Sequence, residues 1–218
     1  TYAHIVAQNL PQQGISVEVV SFGDVRHLPK IVRHIAYFRQ LLRASKLCDT
    51  ILALDPVSVG LPALLVATLT KKRFMVKIVG DYAWEQGRQR FGVKEGLDEF
   101  VHLRNVSFPV SLLRKVQTYV AKSASRIIVP SLYLKRIVSV WGIPETNISV
   151  VYNAIPKGEK GICPEELTGL KDPLVLCVSR LVPWKHVDGV IDAVGGVTAQ
   201  GLSLTLAVVG SGPLEHQL

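Results

Sequence analysis

The sequence predicts an α/β protein built on parallel sheets, and three observations carry that expectation. Short runs dominated by Val, Ile and Leu recur along the 218 residues. Stretches with helical spacing separate them, so strand and helix alternate throughout. The runs are nearly continuous in apolar residues rather than alternating, as strands buried on both faces require. Strands are expected at 16–21, 50–54, 74–79, 126–129, 148–151, 174–178 and 202–209, with helices at 1–12, 30–46, 60–70, 109–123, 131–140 and 185–199.

Taken in order, the chain opens directly on a helical pattern. The helix at 30–46 carries an apolar stripe of Ile31, Ile35, Phe38 and Leu42, with Lys30, Arg33, Arg39, Arg43 and Lys46 off it and no acid. The apolar stretch at 57–69 is too short to span a bilayer and is broken by Ser58, Gly60 and Pro62. Residues 81–107 fit neither period, being charged and punctuated by Gly87, Gly92 and Gly96. They follow a strand directly, where open α/β sheets bind ligands. A second basic pattern, Arg114, Lys115 and Lys122, lies in the helix at 109–123. In the last helix Val187, Val190, Ile191 and Val194 share one face.

A break is expected at 153–172, which holds Pro156, Gly158, Gly161, Pro164 and Gly169. It divides a first domain, 1–152, from the start of a second, 173–218. The charge changes sign there: 1–152 carry 20 Lys and Arg against 10 Asp and Glu, and 153–218 carry 5 against 7. Between Glu99 and Glu145 seven bases occur without an acid. Such a field suits an anionic surface, and it has two readings: core-packed helices with a solvated charged back, or electrostatic docking on an anionic cytoplasmic leaflet. No nucleic-acid-binding motif accompanies the charge. Cys48, Cys163 and Cys177 are scattered and odd in number, so neither a disulfide framework nor a metal site is expected. A reducing cytosol is the default compartment, with no signal peptide in view. The first residue is not Met and the last lies just past a strand, which predicts a fragment cut at both ends.

Two loops near the C-terminus carry the chemistry. Ser179-Arg180-Leu181-Val182-Pro183-Trp184-Lys185 follows the strand at 174–178, and Gly210-Ser211-Gly212-Pro213 follows the strand ending at Val209. Each leads into a helical pattern, whose first N–H groups and dipole favour an anion. With Arg180 and Lys185 added, the first loop suits a phosphate or diphosphate. A dinucleotide fingerprint would need a third glycine at 215, where Glu215 stands. The alternative for Gly210 and Gly212 is a tight turn with Pro213 at the first helical position.

Together with Asn153-Ala154-Ile155-Pro156, these loops resemble, in order and spacing, the family 4 retaining glycosyltransferases of GT-B fold. Arg126-Ile127-Ile128-Val129-Pro130-Ser131 and Lys77-Ile78-Val79-Gly80-Asp81-Tyr82-Ala83-Trp84-Glu85 also resemble family segments. The resemblance implies two Rossmann-like domains and a nucleotide-sugar donor such as a UDP- or GDP-sugar. It implies no metal or other cofactor, and a glycan or glycolipid acceptor. Arg180 and Lys185 would bind the donor diphosphate, and Gly210 and Gly212 would admit the nucleotide. Tyr82, Trp84, Glu85 and Asn153 would line the acceptor side of the cleft. Asp81 would act near the acceptor or anomeric carbon, or would cap the loop after its strand. The family's usual histidine before that aspartate is Gly80 here. Its E-x7-E segment and its first glycine-rich loop are absent from the sequence, so this stretch alone is expected to be inactive. A non-catalytic polyanion-binding module and a GT-B enzyme of other chemistry, such as a sugar-nucleotide epimerase, remain competing readings.

Overall fold

The computed structural model of the chain describes residues 2–154, 164–170 and 173–218. It divides into two compact units, Thr1–Gly87 with Lys94–Ala154, and Arg88–Val93 with Ile155–Leu218. Most of the expected break at 153–172 lies outside the described residues, as does Cys163.

In the first unit, β1 (Thr50–Ala53), β2 (Arg73–Lys77), β3 (Arg126–Val129) and β4 (Ile148–Val150) form one parallel sheet in sequential order. The register is fixed by pairs such as Ile51 with Phe74, Val76 with Ile127, and Ile127 with Ile148. Before them lie α1 (Tyr2–Asn9) and α2 (Lys30–Ala44), and between them α3 (Gly60–Thr70), α4 (Tyr82–Arg90), α5 (Leu97–Phe100), α6 (Phe108–Ser123) and α7 (Leu132–Val140). Parallel neighbours cannot be joined by a tight turn, so each pair is spanned by a helical crossover. The core gathers Val66 of α3, Val76 of β2, Val120 of α6, Ile127 and Val129 of β3, and Val138 of α7, all 0% exposed. Each such side chain contributes about 1.5–3 kcal/mol of transfer free energy.

Local chemistry sets the helix ends. Pro62 and Pro109 sit in the first turns of α3 and α6, where no intrahelical N–H is lost. Ser131 caps α7, its Oγ accepting from the Leu134 amide at 3.1 Å. The chain leaves α7 through Gly142, whose φ of +77° is costly for any residue with a side chain.

Three expectations are corrected. Residues 16–21 form no strand: Ile15 and Val19 are half-exposed, and among the described residues no neighbour supplies a ladder. Within 81–107, α4 and α5 are helical although no apolar period marks them. The stripe of α2 is also displaced. Tyr37 and Leu41 are its buried members, with Ala36, Phe38 and Leu42 packed against the core, whereas Val32 and Ile35 are half-exposed. Phe22 packs on that side, its ring 5.2 Å from Tyr37 and 5.3 Å from His34. Arg33 follows, with its guanidinium 5.8 Å from the same ring. Burial and the Asp55 charge push the Tyr37 hydroxyl up to about 12.

The second unit contains β5 (Leu174–Val178), α8 (Val187–Ala199) and β6 (Thr205–Val209). The two strands pair in parallel from Leu174 with Thr205 to Val178 with Val209. Cys48 and Cys177 are free thiols. Among the described residues no helix is long and apolar enough to cross a membrane.

Candidate functional site

The ladder between β5 and β6 does not stop where the strands do. The Ser179 amide donates to the Val209 carbonyl at 3.0 Å and the Leu181 amide to the Ser211 carbonyl at 3.0 Å. The Leu214 amide then returns to the Leu181 carbonyl at 3.2 Å. The two loops are therefore zipped backbone to backbone, and their glycines are what permits it. A Cβ on Gly210 would strike the Ser179 carbonyl, and one on Gly212 the Leu181 carbonyl. Both glycines thus serve the approach of one loop to the other.

This clamp decides which side chains of 179–187 are free to act. Leu181, Val182 and Val187 are buried at 5%, 1% and 1% exposure. Arg180, just before those anchors, and Lys185, between Val182 and Val187, are exposed. Pro183–Lys185 makes one tight helical turn, and His186 at φ +49° turns the chain into α8. A left-handed residue with a side chain costs of order 1 kcal/mol, and such residues cluster at functional sites. Trp184 is half-buried in the same turn. Arg180, Lys185, Gly210 and Gly212 therefore lie in two adjoining loops at the carboxyl ends of neighbouring parallel strands.

In the first unit Asp81 follows β2 and is 1% exposed. Its Oδ1 accepts from the Trp84 amide at 2.9 Å and from Gln117 Nε2 at 3.0 Å, and Gln117 Oε1 accepts from the Ala83 amide at 2.9 Å. Asp81 and Gln117 together satisfy the first amides of α4, which explains a helix of polar sequence. Burial pushes the Asp81 carboxyl above its ordinary range, opposed by hydrogen bonds from Trp84, Gln117 and Trp141 and by the charge of Arg114. Arg114 is turned inward rather than solvated: its guanidinium donates to the carbonyls of Phe100 and Leu103 and stacks 3.9 Å over the Phe100 ring. Trp84 Nε1 donates to the Glu95 carbonyl at 2.9 Å, pinning the loop after α4. Tyr82 and Glu85 are half-buried, and the Glu85 carboxylate lies where a side chain on residue 80 would project. Gly80 leaves the space that Glu85 fills.

One residue escaped the sequence reading. Lys77, at the end of β2, is 1% exposed, and its Nζ donates to Asn153 Oδ1 at 2.7 Å. The same Nζ lies 3.2 Å from the centre of the Tyr2 ring. Its signal was present, a charged residue inside the apolar run 74–79. Asn153 itself is exposed.

Parallel sheets with helical crossovers are what the chain shares with the solved glycosyltransferases of GT-B fold, and GT-B is its fold class. The chain belongs to the glycosyl transferase 4-like family, whose domain matches residues 2–154. A search of curated proteins finds no match. Among solved structures the chain is similar to HepE of Anabaena, in complex with UDP and glucose, at 17% identity and a TM-score of 0.64. That match covers 96% of this chain and 52% of HepE. It is also similar to a TarM variant of S. aureus in complex with fondaparinux, alpha-GlcNAc-glycerol and UDP, at 15% identity and a TM-score of 0.53, covering 83% of this chain and 33% of that one. The chain thus spans about half the length of HepE.

The shared cap gives a direct test. Asp81→Ala and Gln117→Ala should each lower stability by about 1–3 kcal/mol, and the double variant by clearly less than the sum. Asp81→Asn should cost less, since an amide oxygen still accepts from Trp84 and needs no buried charge. Urea denaturation measures all four; strictly additive losses would contradict a shared cap.

Proposed function

We propose that this chain is part of a retaining glycosyltransferase that moves a sugar from a nucleotide-sugar donor to a glycan or lipid-linked acceptor. The observation that carries the reading is the clamped loop pair, which holds Arg180 and Lys185 outside the strand ends. Membership of the family supports it, as does the binding of UDP and UDP-glucose by HepE, a protein of the same fold. In the transfer, the bond from the anomeric carbon to the diphosphate breaks with its electron pair on the phosphate oxygen. An acceptor hydroxyl oxygen forms the new bond and releases its proton. Negative charge grows on the departing diphosphate, and two cations held in advance stabilise that charge more than they stabilise the bound donor. The donor is a UDP- or GDP-sugar, and the diphosphate needs no metal beside two such cations. Asn153, Tyr82 and Glu85 belong to the acceptor side in this reading, with Asp81 and Trp84 holding α4. The 218 residues alone are proposed to be inactive, since they span about half of HepE.

In the parent protein, Arg180→Ala and Lys185→Ala should each lower kcat/KM by about tenfold or more, the loss of a charge-assisted contact that strengthens as the bond breaks. Sugar transfer from radiolabelled UDP- and GDP-sugars measures this. Parental rates in both variants would refute the assignment.

Two exposed helix faces favour peripheral attachment on the inner face of a membrane. Val32 and Ile35 of α2 stand out beside Arg39 and Arg43, and α6 exposes Phe108, Leu112 and Tyr119 beside Lys115 and Lys122. Apolar side chains flanked by bases suit an anionic bilayer surface. Among the bases between Glu99 and Glu145, Lys135 is paired with Glu145 and Arg136 with Asp98, each at 3.1 Å. Co-sedimentation with phosphatidylserine vesicles should be strong at low salt and fall sharply as salt rises. It should weaken further in Arg39→Glu/Arg43→Glu. No binding at low salt would remove this reading.

A further inference from the structure

The carboxyl end of the first unit's sheet holds a cation that the donor loops do not use. Lys77 closes β2 and is almost fully enclosed, at 1% exposure. A buried ammonium is normally paired with a carboxylate, because losing water without a countercharge is costly. Among the described residues its partners are neutral, the Asn153 side-chain oxygen at 2.7 Å and the face of the Tyr2 ring at 3.2 Å. Among the described residues Lys77 makes no ion pair. An ammonium has three donors, of which Asn153 takes one and the ring attracts the charge through its π face. Burial lowers the basicity of Lys77.

The place is as telling as the pairing. Tyr2 begins α1, Lys77 ends β2 and Asn153 follows β4, so three segments distant in sequence converge on one nitrogen. They do so beyond the strand ends, the side on which open parallel sheets receive ligands. Asn153 is exposed, so the cluster reaches solvent through it.

We propose that Lys77 is an anion-binding residue of the first unit, its ammonium held by Asn153 and Tyr2 to take an oxygen of a phosphate or carboxylate group. The ligand supplies the countercharge that the described residues do not, and Asn153 and Tyr2 are positioning residues. The anion has two sources, the donor's diphosphate or an acidic acceptor. The inference rests on the carboxyl end of the sheet being the ligand side and not on the roles given to Arg180 and Lys185.

The test is made on an isotope-labelled Arg180→Ala/Lys185→Ala form of the chain, so that the donor loops are silent. The side-chain resonances of Lys77, Asn153 and Tyr2 are followed by NMR as inorganic phosphate, UDP or glucuronic acid is added. At least one anion should move all three saturably, and Lys77→Met should weaken that binding by about tenfold or more, the loss of one charge-assisted contact, while Lys77→Arg retains most of it. A response to UDP identifies the donor as the source, and a response to glucuronic acid without UDP an acidic acceptor. If none of the three anions moves these resonances, or if Lys77→Met titrates unchanged, the proposal is overturned. Should Lys77→Met fail to fold, the Lys77 ammonium resonance of the charge-bearing chain decides alone. A failure of the donor-loop reading would show instead at residues 179–185 and 210–212 of the unsubstituted chain, and the two outcomes are separable.

Discussion

The backbone clamp between residues 179–181 and 209–214 is the constraint on which the functional account depends. Two neighbouring parallel strands normally part where their helices begin. Here the ladder runs on for three more hydrogen bonds because Gly210 and Gly212 present no side chain to the opposing carbonyls. The clamp fixes Leu181 and Val182 inward, and the exposed positions beside them are a guanidinium and an ammonium. The backbone that carries each cation is fixed before an anion arrives, which is the sense in which such a site is organised in advance of its charge.

The first unit follows a different logic at the equivalent place. Its carboxyl-end residues are largely engaged with one another: Asp81 and Gln117 cap α4, Arg114 ties α6 to the carbonyls of Phe100 and Leu103, and Trp84 holds Glu95. These contacts make a polar helix stable beside the sheet, and Tyr82, Asn153 and Lys77 take no part in them. Glycine at position 80 belongs to this arrangement, since it admits the Glu85 carboxylate.

The buried parallel strands were legible in the sequence because continuous Val/Ile/Leu runs have few other destinations; β3 and β5 have the bounds the runs suggested. Residues 16–21 read the same way but lack a described neighbour, and alternation cannot reveal whether a partner strand exists. Helix α4 was illegible because its stability comes from a buried Gln 34 residues away, not from an apolar stripe. On α2 the stripe was legible at Phe38 and Leu42, which pack against the core, but not at Ile35, which is exposed while Tyr37 turns in against Phe22. At the site, the loop pair stood out because two cations and two glycines follow strands. Lys77 did not, since a lysine in an apolar run has no fixed meaning until Asn153 and Tyr2 are brought to it.

The central claim is that the clamped loops receive a nucleotide diphosphate, and backbone amide shifts on titrating UDP into the chain test it most directly. Weak, saturable shifts concentrated at Arg180–Lys185 and Gly210–Gly212, lost in Gly212→Val, are the expected result. Saturable shifts confined to other residues, or none at millimolar UDP, would contradict it.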